Sequence, residues 1–334
     1  MRRRRLRTAA VVAALSSISI VALAGALQHA DATASSDEGA QLVEQMRDAP
    51  EALSFTGVLR LAWIDRGERK DLTVDITDDR GVIEITSGDT RVFDRGTHTY
   101  FENGIGWSSA LVEDRATTPP ADHRWPLAVD AGPTVAGRPT QVVEATRRDG
   151  TPAQRLFLDR DTGLLLRREV LDARGRVQRS LTFVELEIDG VAEVEPPRGV
   201  ETEKAQPLGD VPDGYEAPSA PGGYVLVGRS RHPNGIELRY SDGLFAVSVL
   251  QQRGDLDWDA LPDRGVSTEV AGNRARRYSE AGADVVVWEH DGTVYTLASD
   301  APSDVVDSLV DGLTPSRSTL EQIADYVLGP FGWS

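Results

Sequence analysis

Cysteine is absent from all 334 residues, which excludes disulfides, thiolate metal sites and a cysteine nucleophile. Histidine is scarce, with five residues; His98, His123, His232 and His290 lie far apart and His29 falls in the leader region, so none has a zinc-ligand spacing such as HExxH. Only Lys70 and Lys204 are lysines, and the formal net charge is -17. Much of the concentrated positive charge is Arg2, Arg3, Arg4, Arg5 and Arg7. Removal of residues 1–34 takes away those five arginines and Asp31 and moves the charge to -21. Such a body repels phosphate backbones and anionic headgroups, which argues against nucleic acid and favours basic or neutral partners. No Gly-rich phosphate loop joins a strand to a helix. Hydrophobic residues at 40% and charged residues at 27% are near globular averages, so a chain this long can bury a core in each of two domains.

Thr8 to Leu27 is uncharged and apolar. As a helix it would span roughly 30 Å, enough to cross a bilayer. The arginines before it predict a cytoplasmic N-terminus and an extracytoplasmic body, in the periplasm or cell-wall space. Ala30-Asp31-Ala32 and Ala32-Thr33-Ala34 offer A-x-A cleavage sites, whereas the length of the run suits an uncleaved anchor. Residues 1–34 are therefore read as a signal peptide or an N-terminal signal anchor, and the body as secreted or held at the cytoplasmic membrane.

Residues 37–48 read as a helix with Leu42, Val43 and Met46 on one face and Pro50 at its end. From Phe55 the period changes to two. Strands are predicted at 55–63, 71–77, 81–86, 90–93, 98–102 and 106–111, and, after a proline-containing stretch at 117–129, at 139–147, 153–159, 164–172 and 177–188. The turns Arg148-Asp149-Gly150, Asp161-Thr162-Gly163 and Ala173-Arg174-Gly175 place glycine where a hairpin needs positive φ. Six prolines between 196 and 221 mark an acidic linker. Strands follow at 224–231, 235–240, 244–251, 274–279, 283–291 and 293–299, then helices at 302–313 and 319–328. The expected class is α+β with antiparallel sheets.

No catalytic constellation emerges. Gly228-Arg229-Ser230-Arg231-His232 lacks the final glycine of a nucleophile elbow. Asp75, Thr77 and Asp79, like Asp255, Asp257 and Asp259, lack the glycine and glutamate of an EF-hand loop. With no metal or cofactor motif, none is expected. Phe55, Leu59, Leu61 and Trp63 share one strand face, which is either core or the lining of a hollow that takes an acyl chain or a peptide.

Val135-Ala136-Gly137-Arg138-Pro139, the run Arg155 to Leu166, Glu169-Val170-Leu171-Asp172 and Thr182 to Glu187 together resemble the MucB/RseB family of sigma-E regulatory proteins. Leu53 to Val58 is similar to that family's first strand, and Pro221-Gly222-Gly223-Tyr224 with Tyr240-Ser241-Asp242-Gly243-Leu244 to its smaller C-terminal domain. The resemblance implies an unclosed antiparallel half-barrel like those of the lipoprotein carriers LolA and LolB, plugged by helices, and then a smaller sheet-plus-helix domain. It implies domains at 37–190 and 222–315, a linker at 191–221, and a tail at 316–334 beyond the likeness. It implies a non-enzymatic regulator that binds the exported segment of a membrane anti-sigma factor, shields it from proteolysis and senses acyl lipid or lipoprotein. Phe55, Leu59, Leu61 and Trp63 are then candidates for the lipid cavity, and Tyr240, Leu244 and Phe245 for partner contact. A lipid or lipoprotein carrier of LolA/LppX type is the alternative.

Overall fold

The computed structural model describes residues 38–88, 90–94, 99–101, 119, 121, 124–189, 194, 206–219, 221–232 and 235–313. The apolar run at 8–27, the strand expected at 106–111, the helix expected at 319–328 and the tail lie outside them.

Helix α1 (Glu38–Ala52) opens the described chain. Strands β1 (Ser54–Asp65), β2 (Glu68–Asp79), β3 (Ile83–Ser87), β4 (Thr90–Asp94) and β5 (Thr99–Phe101) form one meander. A second comprises β6 (Leu127–Ala131), β7 (Thr140–Thr146), β8 (Pro152–Asp159), β9 (Leu165–Leu171) and β10 (Val177–Ile188). Their inner strands β1 and β10 pair, giving one antiparallel ten-stranded sheet in the order β5-β4-β3-β2-β1-β10-β9-β8-β7-β6. The register steps between Val58 and Leu59, whose partners are Glu185 and Phe183, leaving the exposed Val184 as an extra residue. Such a bulge bends the strand and increases the local twist. Gly57 sits beside it because a Cβ there would lie 2.5 Å from the Glu185 carbonyl oxygen.

The concave face carries Phe55, Leu59, Leu61, Val74, Ile76, Leu181 and Phe183, and α1 fills the hollow with Leu42, Val43 and Ala49. Alternation along β1 thus reflects one face packed on a helix. The helix continues through Pro50, beyond the end that the proline predicts, and stops at Ala52. Proline there removes a single hydrogen bond of the last turn, where the helix is about to end anyway. Gly163, at φ 76°, closes the β8–β9 turn directly under Gln45 of α1, and a Cβ would meet that side chain at 2.8 Å.

The second sheet has eight antiparallel strands in the order β11-β12-β13-β14-β18-β17-β16-β15. These are β11 (Gln206–Pro207), β12 (Val225–His232), β13 (Gly235–Ser241), β14 (Ala246–Arg253), β15 (Val266–Val270), β16 (Asn273–Ser279), β17 (Asp284–His290) and β18 (Thr293–Ser299). Helix α2 (Ser303–Leu313) lays Val306, Leu309, Val310 and Leu313 against it. Strands β13 and β18 are buried along their whole length.

One apolar cluster crosses between the units. Trp125, Ala145, Ala153 and Val170 of the first pack with Phe245, Val247 and the α2 face of the second. Strands β8 and β9, packed on the first core and against the second unit, are mostly buried along their lengths.

Candidate functional site

The boundary between the units carries most of the buried charge. Arg179 on β10 is 4% exposed; its guanidinium lies 3.2 Å from Asp284 Oδ1 of β17 and donates to the carbonyls of Asp300 and Ala301. Arg277 on β16 holds the other Asp284 oxygen at 2.6 Å, and Ser303 donates to that oxygen from the first turn of α2 at 2.5 Å. Arg168 on β9 pairs with Asp300 at 2.8 Å. Burial alone would push the Asp284 carboxyl up, but Arg179 and Arg277 outweigh it and hold it below its ordinary value. On the other side of the boundary Arg47 of α1 donates to the Gly243 carbonyl. These contacts give the two units a fixed relation through buried, paired charges.

Beside this latch lies an open cleft of about 800 Å³. Arg124, Trp125, Arg147 and Arg148 line it from the first unit, and Tyr224 and Leu309 from the second. Arg124 lies 4.8 Å from the Trp125 ring centre and 5.0 Å from that of Tyr224, within cation–π range, and pairs with the buried Asp242 at 3.0 Å. Trp125 Nε1 donates to the same carboxylate at 2.9 Å. Burial pushes the Asp242 carboxyl up, and the Phe245 amide and Arg124 offset only part of that. Tyr224 is pushed well above its ordinary value, first by burial and then by Asp242, so its hydroxyl keeps its proton. That hydroxyl lies against Asp242 without forming a well-aligned hydrogen bond. Arg147 reaches Asp304 of α2 at 3.1 Å, and Arg148 stands exposed at the rim.

The residues singled out in the sequence occupy two places. Phe55, Leu59 and Leu61 lie in the core under α1, at 0%, 0% and 3% exposure. Trp63 is half-buried at the end of the hollow and lines a smaller recess of about 300 Å³ with Lys70, Arg264, Tyr278 and Glu280. Tyr240 and Phe245 are each 1% exposed, and Leu244 is half-buried against both apolar clusters. Tyr240 donates to the Pro218 carbonyl at 2.9 Å, and Phe245 meets Trp125 edge to face at 5.4 Å. These three therefore join the units and the linker. Ser230 is a buried strand residue whose hydroxyl lies 3.4 Å from Glu237. Sequence reading missed Arg124, Trp125, Arg147, Arg148 and Tyr224 as a group, because 148 and 224 are brought together only by the docking of two sheets.

Residues 123–207 match the family described as the MucB/RseB N-terminal domain. No curated protein sequence matches the chain. Among solved structures, a chain of the Pseudomonas aeruginosa MucA/MucB complex matches with a TM-score of 0.52 at 19% identity, covering 84% of this chain and 100% of that one. A crystal structure of MucB matches with a TM-score of 0.50 at 19% identity, covering 82% and 97% respectively. Residues 123–207 thus match the MucB/RseB N-terminal domain, and the chain as a whole has the fold seen in MucB, an unclosed half-barrel followed by a smaller sheet-plus-helix unit.

Proposed function

We propose that the chain is an extracytoplasmic negative regulator of sigma-factor signalling. It binds the exported segment of a membrane anti-sigma factor, shields that segment from proteolysis and releases it when acyl lipid or lipoprotein accumulates. The observation that carries this reading is the extent of the likeness: the MucB fold spans both sheets and the whole of a chain from a MucA/MucB complex, and the family signature falls within the same region. A carrier working by its hollow alone has no need of the second sheet.

Phe55, Leu59 and Leu61 lie beneath α1. In our reading an acyl chain gains their face by displacing that helix, at about 0.8 kcal/mol per buried methylene, and Trp63 stands at the mouth. For release, the lipid must bind the partner-free state more tightly, by about 1.4 kcal/mol for each tenfold shift. Domains at 37–190 and 222–315 with a linker at 191–221, and an N-terminal segment that is cleaved or anchors the body outside the cytoplasmic membrane, complete the proposal.

The test uses the full chain and the exported segment of the anti-sigma factor encoded nearest to it. The segment should be retained in a pull-down and displaced by a palmitoylated peptide. Affinity for the palmitoylated peptide with none for any anti-sigma segment would reverse the assignment in favour of a carrier.

A further inference from the structure

We propose that the chain associates with a second copy of itself through β15, the free edge of the second sheet, joining two eight-stranded sheets across a two-fold axis at Thr268. The inference is independent of the regulatory function proposed above. The β15–β16 hairpin turns through Ala271 at φ 45° and Gly272 at φ 79°, a two-residue turn in which the flanking pair, Val270 and Asn273, exchanges hydrogen bonds. Pairs alternate from there along an uninterrupted register. Val266 and Thr268 therefore bond to β16, while the N–H and C=O groups of Ser267 and Glu269 point away from it. β15 ends the sheet, and among the described residues nothing bonds to that outer side. The opposite edge, β11, is two residues ending in Pro207, whereas β15 has no proline, lysine or bulge to blunt it.

A second β15 laid antiparallel on that side meets a sequence complementary to its own. In Val266-Ser267-Thr268-Glu269-Val270, rotation about Thr268 sets Ser267 opposite Glu269 of the second copy, so the two outward-pointing residues exchange both backbone bonds. Val266, 46% exposed, falls beside Val270, a member of the apolar cluster that includes the α2 face. Charge agrees with this register. Arg276 and Arg274 of β16 lie opposite Ser267 and Glu269 on one face, and neither guanidinium pairs with a carboxylate among the described residues. Arg274 rests on the Trp258 ring, 4.2 Å from its centre. In the dimer Glu269 of one copy stands two strand spacings of about 4.8 Å from Arg276 of the other, a gap that the two long side chains close over the small Ser267. These contacts offset locally the long-range repulsion between two chains of net charge -17. The contact is smaller than a standard interface of about 20 to 30 residues a side, so the pair separates on dilution.

The absence of cysteine makes the test direct. Thr268→Cys sets two thiols on the axis, at the Cα separation of about 4.5 Å of a non-hydrogen-bonded pair, which a disulfide spans. With copper phenanthroline as oxidant, that variant of the full chain in detergent should cross-link to a dimer at least tenfold faster than two controls. One is Val266→Cys, whose symmetry mate lies about 13 Å along the strand, and the other is Asp130→Cys on the exposed edge strand β6. Arg276→Glu and Glu269→Arg, each added to Thr268→Cys, should cross-link at least tenfold more slowly alone, because each pair of identical chains then faces like charges. Mixing them should restore the rate, because both contacts of the mixed pair are again opposite in sign. In the wild type, hydrogen exchange at the Ser267 and Glu269 amides should slow as protein concentration rises. Cross-linking of Thr268→Cys no faster than the controls would overturn the dimer, as would equal rates for the charge variants alone and mixed. Slow exchange at every concentration would give the edge to another segment of the same chain and overturn it as well.

Discussion

Replacing Arg179 with methionine keeps most of the side-chain bulk at the boundary and removes its charge. Asp284 then loses one of its two cationic neighbours, and the carbonyls of Asp300 and Ala301 lose a donor. Breaking a buried ion pair by deleting one partner costs about 3 to 5 kcal/mol, because the remaining charge stays buried without compensation. Here Arg277 still holds Asp284 Oδ2 at 2.6 Å, and Oδ1 faces Arg179 as a charge neighbour without an aligned hydrogen bond. The loss therefore belongs at the lower end, about 3 kcal/mol, or about a hundredfold in the unfolding equilibrium. Urea titration followed by tryptophan fluorescence reads it directly, since Trp125 and Trp288 lie in the shared apolar cluster. Asp284→Ala leaves both arginines facing an empty position, so the double variant should cost clearly less than the two single losses added together. A loss under about 0.5 kcal/mol, or strict additivity, would refute the view that this pair locks the units.

The same carboxylate predicts an acid limb. Asp284 is held below its ordinary value in the folded chain, so its contribution is complete above the unfolded value of about 3.9 and is lost as pH falls through the folded one. The urea midpoint should fall below about pH 4, less steeply in Asp284→Asn; equal slopes would contradict the assignment. Asp242 works in the opposite sense, because its raised value lets the folded state gain stability on protonation and lose it as pH rises. Leu59→Ala, at a fully buried position under α1, should cost about 2 to 5 kcal/mol in the same titration. A neutral result would show that the hollow is not filled by α1.

Most of the strands could be read from the sequence. The strand at 177–188 and that at 293–299 match their predicted bounds, and the hairpin turns carry glycines at φ 83°, 76° and 72° as expected. Three strands escaped, and each lies at a sheet edge, where one side is unpaired. β6 follows Pro126 and is mostly exposed, β15 is exposed at four of five positions, and β11 is two residues in the proline-rich linker. The Arg179 and Asp284 pair was invisible for a different reason. Lone charges in strands read as solvent-facing, and only the docking of one sheet on another buries them. Tyr240 and Phe245 were picked from the stretch that resembles a known domain, and their environment at the boundary follows from that docking as well.

The central claim concerns binding of an anti-sigma segment, and titration calorimetry of the full chain against the exported segment of its neighbouring anti-sigma factor measures it most directly. The account predicts saturable one-site binding that a palmitoylated peptide weakens. Absence of binding, together with undiminished affinity for the palmitoylated peptide, would contradict it.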